Sequence, residues 1–262
     1  MENNPSRPSP NLIERTASEP WVTLPTAAEL AVGAGWGHEQ LIAYNQGNRQ
    51  LLKALFYQAA FDFLTCNNVI GDYYEFGCHR CRTFRMALSE ARRHNLEDIK
   101  FFAFDSFEGL PEPTTETSIE LWKRGALTTS ESDFRKMVDE HGLYCAGVHT
   151  IKGFYSDSLT GALQAKMVSG SSRAILINVD CDLYESAVPV FKFIEPLLQE
   201  GALIYIDDLF TGYKGQVNKG VARAFLEYQQ TSRWSFERNV DIGWWGRSYI
   251  VQSERRAVQG VI

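Results

Sequence analysis

The sequence contains no apolar run approaching the ~20 residues that a membrane helix needs, so no spanning segment is expected. Its opening residues, MENNPSRPSPN, lack the apolar centre of a secretory signal and read as a polar, Pro-containing tail, expected to be disordered over residues 1–20. There is no basic excess: 26 Lys and Arg stand against 32 Asp and Glu, a formal charge of −6, so nucleic acid is not an expected partner. Cysteine is scarce and odd in number, five in 262 residues, which suits a reduced, cytosolic protein better than a disulfide framework. Cys78-His79-Arg80-Cys81 is a lone CxxC. No second CxxC and no HxxxH accompanies it, so spacing does not assemble a four-ligand zinc site. It does follow a strand candidate, as a redox pair would. Internal repeats are also lacking.

What is present is ordinary globular composition, 44% hydrophobic and 22% charged, in a chain near the upper size for one core. From Glu39 to Leu64 apolar residues recur at helical spacing (Leu41, Ile42, Leu51, Leu52, Leu55, Phe56, Ala59, Ala60, Phe63), predicting one or two helices in an N-terminal arm over residues 21–70. The Gly-rich VGAGWG before them, Val32 to Gly37, fits neither nucleotide fingerprint. After Gly71, short apolar runs alternate with helical stretches. Strands are expected at Tyr73–Phe76, Phe101–Phe104, Val148–Ile151, Ala174–Val179 and Ala202–Ile206, and helices at Thr83–Asn95, Ser132–His141, Asp157–Lys166, Glu185–Gln199 and 216–230. That alternation predicts an α/β domain over residues 71–262: a mostly parallel sheet with helices on both faces. SFERNV and WGRSYIVQ predict an antiparallel edge hairpin. The segment from about 111 to 131 is too long for a routine connection and is expected to be a lid, where Trp122, like Trp36 of the arm, either stacks on an acceptor or simply packs.

In an open parallel sheet, ligands bind beyond the carboxyl ends of the strands. The first strand is followed by Glu75-Phe76-Gly77 and a tight turn through Thr83, the second by Asp105-Ser106-Phe107, and the third by Tyr155-Ser156-Asp157. The fourth is followed by Asp180 and Asp182, and the fifth by Asp207 and Asp208. For Asp157 helix capping is the simpler reading; Asp182 has capping as an even alternative. The GxGxxG of a dinucleotide site is missing, because His79 and Arg82 occupy its later glycine positions. Carboxylates after the first two strands instead suit ribose hydroxyls and an ammonium, which makes S-adenosylmethionine the expected cofactor.

EFGCHRCRTF, AFDSFEGLPEP, KGFYSDSL, NVDCDLYES and YIDDL, in that order, resemble the macrocin-type sugar O-methyltransferases of antibiotic biosynthesis, over about residues 72–228. The resemblance implies a class I methyltransferase fold, Rossmann-like, with S-adenosylmethionine and Mg2+. It implies Glu75, Gly77 and Thr83 at the methionine end of the cofactor. Asp105 would be at the ribose, with Ser106 and Phe107 beside the adenosine, and Tyr155 and Ser156 would border the adenine. Asp180, Asp207 and Asp208 are the implied metal ligands. Two positions depart from the family: Cys81 stands where Gly is usual, and Leu209 where Tyr is usual.

Three neighbouring carboxylates repel one another unless a cation neutralises them, and oxygen donors suit a hard divalent ion. Such an ion can bind vicinal hydroxyls and lower the pKa of one, for in-line attack on a sulfonium methyl. Asp180 or Asp182 is the expected base, with Asp182 favoured if Asp180 is committed to the metal. His149, in or beside the third strand, and His141, at a helix end, are lesser candidates. The expected acceptor is a hydroxylated small molecule, a sugar or natural product; a catechol-like phenol and a non-catalytic adenosine-ligand binding role are the alternatives. Homo-oligomerisation stays open.

Overall fold

The computed structural model describes residues 37–253 apart from 115–118, 120, 121, 171 and 172. The expected tail, Trp36 and most of the VGAGWG joint lie outside the described residues. The chain divides into two compact units, residues 1–48 and 49–262. Of the first, residues 37–48 are described, and they include the opening turns of a single long helix, α1 (His38–Cys66). No helix among the described residues is long and apolar enough to cross a membrane.

The expected alternation follows: β1 (Asp72–Phe76), α2 (Arg82–Arg93), β2 (Phe101–Asp105), α3 (Glu131–His141), β3 (Val148–Lys152), the single turn α4 (Tyr155–Ser158), α5 (Gly161–Ser169), β4 (Ala174–Val179), α6 (Tyr184–Ile194), β5 (Leu203–Ile206), α7 (Gly220–Thr231), β6 (Ser235–Ile242) and β7 (Gly246–Gln252). The sheet has the order β3-β2-β1-β4-β5-β7-β6. Strands β1 to β5 pair in parallel, while β7 joins β5 antiparallel and pairs with β6 in a hairpin. The order reverses between β1 and β4, and a crevice at such a switch point is where open sheets hold ligands.

All five residues of β1, all six of β4 and all four of β5 are buried, as a strand covered on both faces requires. Alternate residues feed two cores. Tyr73, Phe101, Leu176 and Tyr205 pack with α1, α2 and α3; Tyr74, Phe104, Ile177 and Ile204 pack with α6 and α7. From Arg49 onward α1 belongs to the first of these cores. Its buried face is Lys53, Phe56, Tyr57, Ala60, Phe61 and Leu64, while Leu51 and Leu55 are exposed. The apolar spacing therefore gives the helix but not its buried face, because the lysine takes an inward position.

Three expectations are corrected in detail. Asp157 caps nothing: it lies inside α4, and α5 starts after Thr160, whose Oγ1 accepts from Leu163 N at 3.2 Å. The helix expected to run to Gln199 stops at Ile194 and tightens into a 3-10 turn around Pro196. The last helix starts at Gly220 rather than 216, after a run of turns.

Candidate active site

The parallel ladder runs one residue past the strand ends. Gly77 N donates to Phe104 O at 3.0 Å, Asp180 N to Phe76 O at 2.8 Å, and Asp207 N to Val179 O at 2.9 Å. Glu75, Asp180 and Asp207 are thereby brought to one edge, on the face covered by α1.

On the β1 side, Glu75 is fully buried. Thr83 Oγ1 donates to its Oε1 at 2.9 Å, and Tyr73 donates to its other oxygen while taking a hydrogen bond from Tyr57 at 2.8 Å. Burial nevertheless pushes the Glu75 carboxyl up to about 7, against hydrogen bonds that pull it down. A carboxyl so placed gains from a cationic ligand, which supplies the charge that its own partners do not. Gly77 has φ +91°, and a Cβ there would lie 1.7 Å from Asp180 O. Only glycine lets this turn lie against the end of β4.

The turn continues with Arg80 and Cys81 at φ 57° and 53°, in the left-handed region. The conformation that favours glycine is thus kept where this chain carries cysteine. Both Cys78 and Cys81 are free and buried, and burial raises both thiols, Cys81 to about 12. A reactive redox pair needs a depressed thiol pKa; this CxxC is part of the turn. Cys78 N and Phe107 N donate to the two oxygens of Asp105, at 2.7 and 2.6 Å, so Asp105 ties the first loop to the second. Ser106 Oγ donates to Gly109 O at 2.6 Å, and the Phe107 ring is buried 5.6 Å from Phe134, so both side chains build the loop. Tyr155 Oη donates to Phe104 O at 3.1 Å, at the same edge, whereas Ser156 is exposed and bonds to Asp157.

On the β4–β5 side, oxygens of Asp180, Asp207 and Asp208 lie within 4.8 Å of one another. Leu183, not Asp182, is the N-cap residue of α6, and no side chain caps that end, so the capping alternative falls away; Asp182 lies beside Asp208 instead. Asp182 and Asp208 hold left-handed φ of 60° and 54°; strain of this kind is kept where the surroundings impose it. Cys181, between the two carboxylates, is buried in the opposite core, as alternation predicts.

The residue that motif reading missed is Lys53. Its Nζ lies 2.6 Å from Asp207 Oδ2 and 3.1 Å from Asp180 Oδ2, with the side chain 8% exposed. Tyr205 Oη donates to the other oxygen of Asp207 at 2.7 Å. Burial would raise Asp207, but the ammonium and the phenol hold it below its ordinary value. Asp180 and Asp182 are raised well above theirs, by burial and by the carboxylates around them, and Asp208 rises to about 6 for the same reasons. Three carboxylates, Asp180, Asp207 and Asp208, surround one ammonium, and no other Lys or Arg forms an ion pair with them among the described residues. The surplus negative charge and the all-oxygen donor set fit a hard divalent cation. The Gly77 turn and the Glu75 carboxyl fit the amino-acid end of S-adenosylmethionine.

Trp122 is buried on Tyr213, Leu110 and Leu183, a packing role; part of the 111–131 segment lies outside the described residues. His149 sits in β3 and His141 ends α3, both as expected.

The family model described as macrocin-O-methyltransferase (TylF) matches residues 27–244. The 8-demethyl-8-(2,3-dimethoxy-alpha-L-rhamnosyl)-tetracenomycin-C 4'-O-methyltransferase of Streptomyces olivaceus is 27% identical over 157 residues, 58% of this chain and 58% of that protein. Demethyldecarbamoylnovobiocin O-methyltransferase of Streptomyces niveus is 26% identical over 148 residues, 54% of each. The chain thus spans a little over half the length of these curated relatives. The solved structure of the O-methyltransferase NovP superposes with a TM-score of 0.63 at 21% identity, over 77% of this chain and 80% of that one, a likeness of fold.

Proposed function

Because this chain belongs to the macrocin-O-methyltransferase family, we propose that it transfers the methyl group of S-adenosylmethionine to a hydroxyl of a glycosylated or polyhydroxylated small natural product. The relatives' names, one a rhamnosyl 4'-O-methyltransferase, support a sugar-bearing acceptor. The observation that carries the reading is the contact of the two half-sites: the Gly77 turn lies directly on Asp180, so a methyl donor held by one is beside an acceptor held by the other.

In the transfer, the sulfonium carbon–sulfur bond breaks and a carbon–oxygen bond forms in line, leaving S-adenosylhomocysteine and releasing the hydroxyl proton. Glu75 receives the donor's ammonium, Gly77 leaves room for its amino-acid end, and Asp105 holds the two loops that face its ribose. Asp180, Asp207 and Asp208 would hold Mg2+, which supplies Lewis acidity to a bound hydroxyl. Asp182, which does not cap α6, would take the proton; Asp180 is the alternative when it is not a ligand.

Calorimetric titration with S-adenosylmethionine tests the reading. Saturable binding is expected in the wild type, weakened at least tenfold in Asp105→Ala. Asp207→Ala should keep cofactor binding and lose turnover on a hydroxylated glycoside by about a hundredfold or more. A wild type that binds no cofactor refutes the proposal.

A further inference from the structure

The proposed metal site already contains a cation, and it comes from the protein. Lys53 reaches Asp180 and Asp207 from α1, 127 and 154 residues away in sequence, and bonds Oδ2 of each. Its ammonium also lies 5.9 Å from the centroid of the Tyr205 ring, whose hydroxyl holds Asp207 from the other side. Asp180 and Asp207 are two of the three carboxylates whose oxygens converge within 4.8 Å. Both oxygens of Asp207 are engaged, Oδ2 by Lys53 and Oδ1 by Tyr205, so an ion bound by all three shares that carboxylate with the lysine, and a divalent ion and an ammonium a few ångströms apart repel strongly.

We infer that Lys53 is the resident counter-ion of this site, holding Asp180 and Asp207 in place for the metal and releasing at least one of them when the metal enters. The inference rests on the divalent-ion reading above and adds a competition to it. Two unneutralised carboxylates this close would swing apart or draw in water; the lysine keeps them convergent. The same contact sets a cost on metal entry. The site is therefore built for a readily exchanged ion rather than a permanently captured one, and the Lys53 side chain shifts with each exchange.

The test is titration of the full chain with Mn2+ alone, by calorimetry and by the electron paramagnetic resonance of free Mn2+. Lys53→Met removes the competing charge, and Lys53→Gln removes it while keeping a hydrogen-bond donor for the carboxylates. Each should bind Mn2+ roughly tenfold or more tightly than the wild type, and Mg2+ should raise the melting temperature of each by more than it raises that of the wild type. Equal or weaker Mn2+ affinity in a folded variant overturns the inference while leaving the metal site standing. No binding by wild type or variant removes the metal site itself. Should both variants fail to fold, the wild type still decides: the Lys53 ε-methylene NMR signal must shift in step with Mg2+ saturation, and a signal that stays fixed overturns the inference.

Discussion

Glu75 shows what a single buried acid does to the whole chain. Its carboxyl moves from 4.5 to about 7 because burial outweighs the hydrogen bonds from Tyr73 and Thr83. A carboxyl raised on folding favours the protonated form in the fold. Its stabilising contribution is therefore complete below about pH 4.5 and is lost as pH rises through about 7. At pH 8 the ligand-free protein should be less stable than at pH 5 by up to ~3 kcal/mol from this group. Urea denaturation at several pH values should show that slope in the wild type and a flatter one in Glu75→Gln. The variant gains stability at pH 8 but loses affinity for S-adenosylhomocysteine, whose ammonium no longer finds a charge. Much of this residue's setting could be read ahead, since an acidic residue and a glycine after the first strand stand out. Lys53 could not. Nothing local distinguishes a lysine in a helical stretch, and its partners lie in distant motifs that only the folded sheet brings near.

At the scale of the element, α1 is the part whose role changes most between sequence and structure. Its apolar residues outnumber those it buries: Leu51 is 60% exposed, whereas Phe61 is fully buried. Phe61→Ala should therefore cost about 3–5 kcal/mol in chemical denaturation, and Leu51→Ala should fall within about 0.5 kcal/mol of the wild type. Equal effects would mean that the second half of the helix is an appended arm rather than core. The strands were legible almost to the residue, because fully buried parallel strands write themselves as unbroken apolar runs. Helix ends were less so. The boundary at Thr160 and the stop at Ile194 depend on a cap and a proline whose effect competes with continuing helical periodicity.

For the whole molecule, placing the proposed donor and metal half-sites on neighbouring strands would make their occupancies interdependent. Gly77 leaves no space between its turn and Asp180, so ordering one loop orders the other. Mg2+ should tighten S-adenosylhomocysteine binding by roughly fivefold or more, and S-adenosylhomocysteine should tighten Mg2+ by the same factor. Four titrations, each ligand with and without the other, check that equality; independent affinities would show that the two loops respond separately. The five-fold recurrence of polar residues after apolar runs made this edge readable as one site. The internal ammonium and the tyrosine chain behind Glu75 were not readable, because both join elements far apart in the chain.

The placement of β7 between β5 and β6 has a consequence for biosynthesis. Strand β5, which ends at the Asp207-Asp208 pair, is paired on one side by β4 and on the other only by a segment made some forty residues later. While the ribosome is still adding that segment, the strand Leu203–Ile206 offers an open row of backbone donors and acceptors to any neighbouring extended chain. The nascent protein is thus open to mispairing at the very strand that completes its acidic cluster, and synthesis of β7, rather than of the early strands, covers that edge.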